Sequence, residues 1–507
     1  MVLYSPKHTI NSILKVRNTM KKISLILITT LAIWAISTFI IGNRTQENLQ
    51  NHIDKSNKFY ANNGIKLKLV NYKHSFLSST AQIEIDFLDP KVIQLLKKEY
   101  LLPLTVNYTI EHGPLFFQNG FGIGLAKINN SLLVSSLLKE EAKKEFLTLV
   151  KKDIKLQTEM EVSFSKTLNY TIKSDEILVN TDKKTFYMSP LNLQGISNLE
   201  TFKGNGTVKI EKLEFKEENS NNGLELNKIT AKMKIDEIFK ESLLFGDFKF
   251  SVAKILINDE LNPKFKKIDI SIDGEMTNTR VNQNSMDSNF RGTIHLANTQ
   301  LEKSFKELES IQIVMKMKEL GIEGMSEFQN VAQNIQKEQN KLIQQLQTQK
   351  PEQMQSTLKE LEKAQEKILT KLIHTLNNLL IKDKTSISYS IDIKTKDKKT
   401  SQAFVEVGYT GDMDFKGSIK EITQKIRTQL LSLIRLKVNV ALNKKHLSML
   451  PVPMLKQQLQ MGVAQGFIKE NNDSYHLNGY YKDKELIVND NNLTSTILPL
   501  LMMFMTR

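Results

Sequence analysis

The stretch Ile387–Lys394 reads ISYSIDIK and alternates apolar and polar side chains throughout. Successive side chains of a β-strand point to opposite faces, so this pattern predicts a strand with one buried face and one solvated face. The alternation recurs at Ala81–Phe87, Met160–Phe164, Ile268–Ile272 and Leu436–Leu442. One-sided strands of this kind usually pair antiparallel. We therefore expect a β-rich α+β fold made of elongated, curved, mainly antiparallel sheets.

The periodicity changes to that of a helix between residues 301 and 383. Phe328, Val331 and Ile335 are spaced by three and four, and a second apolar stripe follows Pro351. Because proline suits the first turn of a new helix, we expect a helical hairpin inserted between two β-rich regions, 43–300 and 384–507. The stripe fits an intramolecular hairpin packing on itself or on the sheet, and equally an intermolecular coiled coil in a homo-oligomer.

Shorter helices and strands are predicted around this insertion. Asp89 followed by Pro90 is typical of a helix start, and Leu137–Val150 has helical spacing. In the C-terminal region the spacing predicts helices over Ile419–Leu430 and Pro453–Gly466, and a final strand pair over Tyr475–Val488. The apolar stretch Ile497–Met505 is too short to span a bilayer as a helix, so we expect it to dock on apolar surface.

An uncharged run of 20 residues, ISLILITTLAIWAISTFIIG, occupies Ile23–Gly42. At about 1.5 Å per residue it is long enough for the roughly 30 Å hydrocarbon layer of a membrane. Five cations and no acid precede it, and the positive-inside rule then places residues 1–22 in the cytoplasm. A cleaved signal peptide is the alternative, but its apolar core is shorter, about 7–15 residues. We expect residues 23–42 to be a single transmembrane helix in the inner membrane, with the bulk of the chain in the periplasm.

Composition narrows the classes of function further. The 507 residues carry a formal net charge of +15, but the lysines alternate with acids along the chain, so no concentrated nucleic-acid-binding patch is expected. Cysteine is absent, which excludes disulfides, thiolate nucleophiles and Cys-type zinc sites. No cofactor is predicted.

Two segments read YKHSFLSSTAQIEIDF at Tyr72–Phe87 and IEHGPLFFQNGFGIGLAKINNSL at Ile110–Leu132. They resemble the YdgA-like family of Gram-negative envelope proteins. The residues that carry the second resemblance are His112, Gly113, Pro114, Gly120, Gly122 and Gly124. The closing segment Gly466–Asp490 is also similar to that family. The resemblance implies an inner-membrane anchor and a periplasmic domain, and it supplies no reaction.

The glycine and histidine motif is predicted to be structural. No two of the eight histidines have the i, i+4 spacing of a helical zinc site, and Gly113-Pro114 beside His112 is typical of a turn. The run from Gly120 to Gly124 is not G-x-G-x-x-G, so close backbone packing is favoured over a dinucleotide site.

Other short patterns are weaker still. Ser136 and Lys139 match S-x-x-K without the companion motifs of penicillin-recognising enzymes. Asp412 and Asp414 would share a strand face on which a divalent cation could sit, or which water could simply solvate. We assign no catalytic residue, no metal ligand and no cofactor-binding residue.

The sequence favours a non-catalytic, membrane-anchored envelope protein that binds or scaffolds. Its binding site would be an apolar β surface lined by residues such as Ile83, Ile85, Val162 and Phe164. This surface would hold a lipid or another envelope protein. An ordinary core built from the same residues is the simpler reading. The alternative function is a periplasmic hydrolase whose site is assembled from distant residues.

Overall fold

Antiparallel β-strands predominate among the described residues, which confirms the β-rich α+β class. The computed structural model describes residues 34–58, 64–118, 120–150, 152–181, 183–217, 220, 222–240, 243–258, 267–296, 307–332, 366–449 and 453–497. The contacts divide the chain into two units. The first comprises Met1–Lys143, Lys155–Ile172 and Ile196–Glu200, and the second comprises Lys144–Ile154, Lys173–Gly195 and Thr201–Arg507.

The strands that begin in the first unit include the one predicted at Ala81–Phe87 and, as far as Val162, the one predicted at Met160–Phe164. They are β1 (Ile65–His74), β2 (Ser78–Phe87), β3 (Leu104–His112), β4 (Leu115–Phe116), β5 (Gly122–Ile123), β6 (Ala126–Leu133), β7 (Lys155–Val162) and β8 (Thr167–Ser174). Antiparallel pairing runs in the order β1, β2, β3, β6, β7. The two-residue strands β4 and β5 pair with each other in a separate two-stranded sheet.

One helix, α1 (34–58), covers a face of this first sheet. Ala81, Ile110, Ala126 and Val162 form the buried core of the unit, and Leu49 of α1 packs against it. Asn57 near the end of α1 fixes the helix to β1, because its side-chain amide exchanges two hydrogen bonds of 2.7 and 2.8 Å with the Leu67 backbone. In this unit the apolar strand face is therefore an ordinary core.

The second unit contains longer strands. They are β9 (Ile177–Asn180), β10 (Lys184–Met188), β11 (Leu191–Asn198, whose last residues belong to the first unit), β12 (Gly204–Glu217), β13 (Gly223–Phe239), β14 (Leu243–Asn258), β15 (Lys267–Arg280), β16 (Ser285–Leu296), β17 (Leu308–Gly321), β18 (Ser386–Thr395), β19 (Thr400–Tyr409), β20 (Ile434–Asn443), β21 (Lys469–Glu470), β22 (Ser474–Lys482), β23 (Glu485–Val488) and β24 (Asn491–Asn492). From β12 to β20 each strand pairs antiparallel with the next one in sequence, and β20 then pairs with β22.

Short helices connect or cap these strands. They are α2 (Pro90–Leu96), α3 (Glu140–Val150), α4 (322–332), α5 (366–379), α6 (Ile419–Leu433), α7 (Lys444–Met449), α8 (Pro453–Ala464) and α9 (494–497), with a 3-10 turn at Val134–Leu137. Asp89 caps α2 as predicted, because its carboxylate accepts a 2.8 Å hydrogen bond from Lys91 N. The predicted helices at Leu137–Val150, Ile419–Leu430 and Pro453–Gly466 correspond to α3, α6 and α8.

The helical prediction for residues 301–383 is wrong at its start. Leu308–Gly321 is strand β17, paired over its length with β16 and β18. Helix follows only from residue 322, and residues 333–365, which include Pro351, lie outside the described part of the chain. The start of α4 lies close to the end of α5. A Cβ atom on Gly321, just before α4, would be 1.8 Å from the Asn378 carbonyl oxygen, and one on Gly324 would be 2.2 Å from Leu379 N.

Helix α5 also packs on the rest of the second unit. Ile373 and Leu376 contact a core cluster of Met413, Phe415, Ile422 and Leu433. The end of the predicted insertion is thus part of a core of the second unit.

More than half of the predicted membrane span lies outside the described residues, because these begin at residue 34 and the predicted span covers residues 23–42. Residues 34–42 are helical and form the first part of α1. Over the ranges that are described, no helix combines the length and the apolar character needed to cross a membrane. The apolar tail from Leu498 onward is likewise outside the described residues.

Candidate functional site

Apolar side chains form a continuous row across the sheet of the second unit. From β13 to β20 the residues in direct register are Met233, Phe248, Met276, Phe290, Met315, Tyr389, Val405 and Val438. Residues opposite each other on paired strands project from the same face, so these eight side chains lie side by side. We call this the central row.

Two further rows run parallel to the central row on the same face. The next one along the strands is Ala231, Phe250, Gly274, Gly292, Ile313, Ile391, Ala403 and Val440. The third is Ile229, Val252, Ile272, Ile294, Ile311 and Ile393. Every residue in the three rows is apolar or glycine except for the phenol group of Tyr389. We call the surface that the rows form the apolar face.

The apolar face is open to a degree unusual for such side chains. Met233, Phe248, Met276 and Tyr389 are each 40–44% exposed. Contiguous apolar patches beyond a few hundred Å² are rare on soluble monomers and commonly mark binding surfaces. With strands about 4.8 Å apart, the seven steps of the central row span roughly 34 Å, which exceeds the roughly 30 Å hydrocarbon thickness of a bilayer.

The opposite face of the same strands is polar. In register with one another are Lys232, Lys249, Glu275 and Arg291, and Lys249 forms a 2.6 Å ion pair with Glu275. His295 and Asp273 are 2.9 Å apart on the same side. The strong contrast between the two faces fixes the register, because a slip of one residue would exchange them.

Two paired glycines leave the backbone of the apolar face uncovered by their own side chains. Gly274 and Gly292 are opposite each other on β15 and β16. A Cβ atom on Gly274 would be 2.0 Å from Cε1 of Phe250, and one on Gly292 would be 3.2 Å from Cζ of Phe290. Both aromatic rings therefore lie across the glycine backbone, where any larger residue would displace them.

One edge of the apolar face merges into a closed core. Leu243, Phe245, Met286, Leu320 and Ile322 are buried there. The Arg280 guanidinium stacks 5.1 Å from the Phe245 ring centroid and donates a 2.7 Å hydrogen bond to Glu237. The apolar face thus ends in a buried core near the starts of β14 and β16 and the end of β17. Along the three rows, several side chains remain partly exposed.

The residues predicted to line a groove have different surroundings, and Ile83 and Ile85 are half-buried on β2. Ile83, Ile85 and Val162 belong to the first unit, where Val162 is buried in the core beneath α1. Phe164 lies beyond the end of β7, in the turn before β8, and is exposed. The simpler reading as a core holds for Val162, and the open apolar surface lies on strands of the second unit instead.

His112 ends β3 and is buried. Its Nε2 is 2.8 Å from Ser79 Oγ, and its Nδ1 is 3.4 Å from the Phe76 carbonyl oxygen. When Nδ1–H donates to Phe76, Nε2 accepts from the Ser79 hydroxyl. Burial lowers the pKa of His112; the hydrogen bond to Phe76 opposes this, and His74, stacked 5.2 Å away, adds to it.

Gly113 and Gly124 cross at very short range. Gly113 N donates a 2.9 Å hydrogen bond to the Leu125 carbonyl, and Gly124 N donates a 3.1 Å bond to the Pro114 carbonyl. A Cβ atom on Gly113 would be 1.7 Å from the Gly124 carbonyl oxygen. Gly113 has no positive φ, so the need for glycine arises from this backbone approach and not from a left-handed conformation.

The remaining glycines of the motif lie in or beside the β4–β5 pair. Gly122 is opposite Phe116, and a Cβ atom on it would be 3.0 Å from that ring. Gly120 has a φ of 93°. The segment turns between two strands and not from a strand into a helix, so it does not have the geometry of a dinucleotide-binding loop.

Three Ser–His hydrogen bonds are present among the described residues, and two of the pairs are closed to substrate. Ser79 and His112 are each 2% exposed, and Ser401 and His446, which are hydrogen-bonded through Nδ1, are 5% and 3% exposed. Among the described residues, His446 Nε2 has no hydrogen-bond partner. A hydrolytic site needs an accessible nucleophile and an oriented base, and neither buried pair offers both. In the third pair, Ser474 and His476 are half-buried, and both side chains also bond to the Asn471 side chain in the turn before β22.

The weaker motifs are also accounted for by local structure. Ser136 Oγ donates to the Leu133 carbonyl and Lys139 Nζ to the Lys97 carbonyl, so the two side chains do not face each other. Asp412 and Asp414 lie in a loop after β19 and not on a strand, which corrects that prediction.

An open cleft of about 930 Å³ surrounds that loop. Asp412 pairs with Lys382 there, and Asp414 accepts a 3.0 Å hydrogen bond from the Lys416 backbone. Within the described ranges no three His, Asp or Glu side chains are grouped so as to hold a metal ion.

Sequence reasoning did not single out Met233, Phe248 or Met276. The signal was present in each strand: Ile229, Ala231, Met233 and Ile235 alternate with polar residues just as Ile387–Ile393 do. What a single strand cannot give is its register with its neighbours, and the row exists only through that register.

Comparison with known proteins gives one match. A sequence model of a family described as a bacterial protein of unknown function (DUF945) matches residues 20–495. The match contains both segments that resemble YdgA-like proteins, and that narrower resemblance stays a prediction. No curated protein and no solved structure matches the chain.

Proposed function

The chain belongs to the DUF945 family of bacterial proteins of unknown function, and we propose that it is a non-catalytic, membrane-anchored envelope protein that binds acyl chains of lipids on the apolar face. The observation that carries this proposal is the central row, in which eight strands place apolar side chains in register while several of those side chains stay about two-fifths exposed.

An acyl chain fits this surface better than a folded partner does. The three rows carry no charged group and one hydroxyl, so the apolar face offers almost nothing to the polar backbone of a protein segment. Each buried CH₂ group contributes about 0.8 kcal/mol, so the free energy of binding grows with the length of chain that the rows can cover. A surface roughly 34 Å long by the strand spacing can accommodate a whole acyl chain.

The location is the second part of the proposal. The uncharged run Ile23–Gly42 and the cations before it support an inner-membrane anchor with residues 1–22 in the cytoplasm and the sheets in the periplasm. An apolar binding surface tethered there would have lipids of the envelope as its nearest ligands. The alternative hydrolase has less support, because two of the three Ser–His pairs are buried and the third, Ser474 with His476, is hydrogen-bonded to the Asn471 side chain within a turn.

The test compares two charge insertions on adjacent residues of β18. Tyr389→Asp places a carboxylate on the apolar face, whereas Ser388→Asp places one on the polar face opposite Lys316. The full chain would be purified in amphipol, and the phospholipid per chain measured by phosphorus analysis and mass spectrometry. We expect Tyr389→Asp to retain less lipid than the wild type and Ser388→Asp to retain as much; equal retention by both variants would count against the proposal.

A further inference from the structure

A group of exposed apolar side chains stands at one end of the first unit. Phe76 and Leu77 lie in the turn between β1 and β2, and Phe117, Phe121 and Ile123 lie in or beside the β4–β5 pair. These five side chains are 43–72% exposed. Turns normally expose polar residues, so such a concentration indicates a surface with an apolar partner. We call the five residues the aromatic tip.

The aromatic tip lies beside the part of α1 that continues the uncharged run. Trp34 is edge-on to Phe76 and to Phe117, with ring centroids 6.5 and 6.1 Å apart, and Phe117 is 6.0 Å from Phe121. Farther along the helix, Gly42 contacts the His112 ring. Trp34 precedes Gly42 by eight residues, which is about 12 Å of helix. The tip therefore extends alongside the last turns of the apolar run Ile23–Gly42 and does not stop where that run ends.

The charges around the aromatic tip suit a lipid interface. Residues 75–77 and 113–126 contain no charged side chain. Lys73 and Lys127 lie just outside these two stretches, and Arg44 follows Gly42 on the helix. A nearby acid, Glu111, is buried and accepts a 3.2 Å hydrogen bond from Gln118 N. Aromatic residues at the depth of the headgroups, with cations toward the aqueous side, are the usual pattern of a membrane-interface contact.

We propose that the aromatic tip inserts into the outer leaflet of the inner membrane at the boundary between headgroups and acyl chains, beside the helix that anchors the chain. This inference rests on the proposed anchor and is independent of lipid binding on the apolar face. If residues 23–42 span the bilayer, Gly42 lies at the periplasmic end of the span and Trp34 lies within the outer leaflet. The contacts with Trp34 then place Phe76 and Phe117 at the depth of that leaflet. The first unit would then lie in direct contact with the membrane surface.

The chain offers a direct probe, because Trp34 is its single tryptophan. In a Trp34→Phe background, Phe121→Trp would report on the aromatic tip, and Leu95→Trp would be the matched control. The two positions are 72% and 70% exposed. Leu95 lies in α2 beyond the end of β2, at the opposite end of the same sheet from Phe121.

Each full-length variant would be reconstituted into vesicles of phosphatidylethanolamine and phosphatidylglycerol, with and without phospholipids brominated along their acyl chains. We expect brominated lipid to quench the fluorescence of the Phe121→Trp variant strongly and that of the Leu95→Trp variant little, and aqueous iodide to show the reverse order. Equal quenching of the two variants, or a position 121 open to iodide or shielded from both quenchers by protein, would overturn the proposal.

The unsubstituted chain separates this result from a failure of the anchor. Trp34 quenched by brominated lipid while position 121 is not would mean that the anchor stands and the tip is not inserted. Trp34 unaffected by brominated lipid would overturn the anchor and the tip together, and would leave the lipid measurement on Tyr389→Asp as a separate question.

Discussion

Gly42 lies directly against the imidazole ring of His112: a Cβ atom on Gly42 would be 2.5 Å from His112 Nδ1, and 2.7 Å from His74 Nε2. Helix α1 can approach the first sheet this closely only because residue 42 has no side chain. The His-Gly-Pro motif and the end of the predicted anchor are therefore one packing unit, in which the buried histidine is a contact surface for a helix.

Substitution of Gly42 by alanine should loosen that contact. The added methyl group must push aside two rings that already stack on each other, and overpacking of this kind costs about 1–3 kcal/mol. Trp34 fluorescence during thermal unfolding in detergent is a local reporter, since Trp34 contacts the sheet through Phe76 and Phe117. We expect a lower midpoint for Gly42→Ala.

The matched control for that variant is Gly479→Ala on β22. A Cβ atom there would have its nearest neighbour at an ordinary 3.7 Å, so the midpoint should not move. If Gly42→Ala were as stable as Gly479→Ala, the close contact between α1 and His112 would be refuted.

The stability of the first unit should depend on pH through His112. Burial lowers its pKa below the ordinary value of about 6.5, so the unfolded chain binds this proton more readily than the folded chain does. The free energy of unfolding is then highest above pH about 6.5 and falls as the pH drops from there toward the folded-state pKa. We expect His112→Gln, which can still accept from Ser79, to show a smaller loss of melting temperature between neutral and mildly acidic pH.

Gly479→Ala is the control for the pH experiment, because it changes no titratable group and adds a Cβ atom whose nearest neighbour is at an ordinary 3.7 Å. It should leave the pH dependence of the melting temperature as in the wild type. His52 and His446 also have lowered pKa values through burial, so His112→Gln should reduce the dependence without abolishing it. An unchanged pH profile in His112→Gln would show that this ring is not held neutral by burial.

The topology of the chain is open to a reporter experiment. The charge asymmetry around Ile23–Gly42 predicts that everything after the run is exported. Alkaline phosphatase fused after Asn63 should be active in cells, and β-galactosidase fused at the same point should be inactive. The opposite pair of activities would reverse the predicted orientation.

The existence of many strands could be predicted from the sequence, because alternation is a local property. Ile387–Ile393 and Leu436–Leu442 became β18 and β20 as expected. Strand β17 was missed although Ile311, Ile313, Met315 and Met317 alternate, because its Met, Lys, Glu and Leu content is also that of a good helix. Pairing with β16 and β18 decided the outcome.

Which strand faces are covered could not be predicted, because that depends on tertiary contacts. Val162 of β7 and Met276 of β15 both lie on alternating strands, yet Val162 is in the core beneath α1 and Met276 is 40% exposed. The need for glycine at residues 42 and 113 likewise arises from tertiary contacts. Residue 42 lies against the rings of His74 and His112, and residue 113 lies against the Gly124 carbonyl. Sequence indicated a turn near Pro114 but not these approaches.

Photo-crosslinking in living cells tests lipid binding on the apolar face most directly. Benzoylphenylalanine would replace Met276 or Phe248 on the apolar face, and, as controls, their sequence neighbours Glu275 or Lys249 on the polar face. Cells labelled with radioactive phosphate would be irradiated, and the full-length protein purified under denaturing conditions. We expect phospholipid adducts from positions 248 and 276 and few or none from positions 249 and 275. Equal labelling at all four positions, or adducts at 248 and 276 that consist only of protein, would contradict the account.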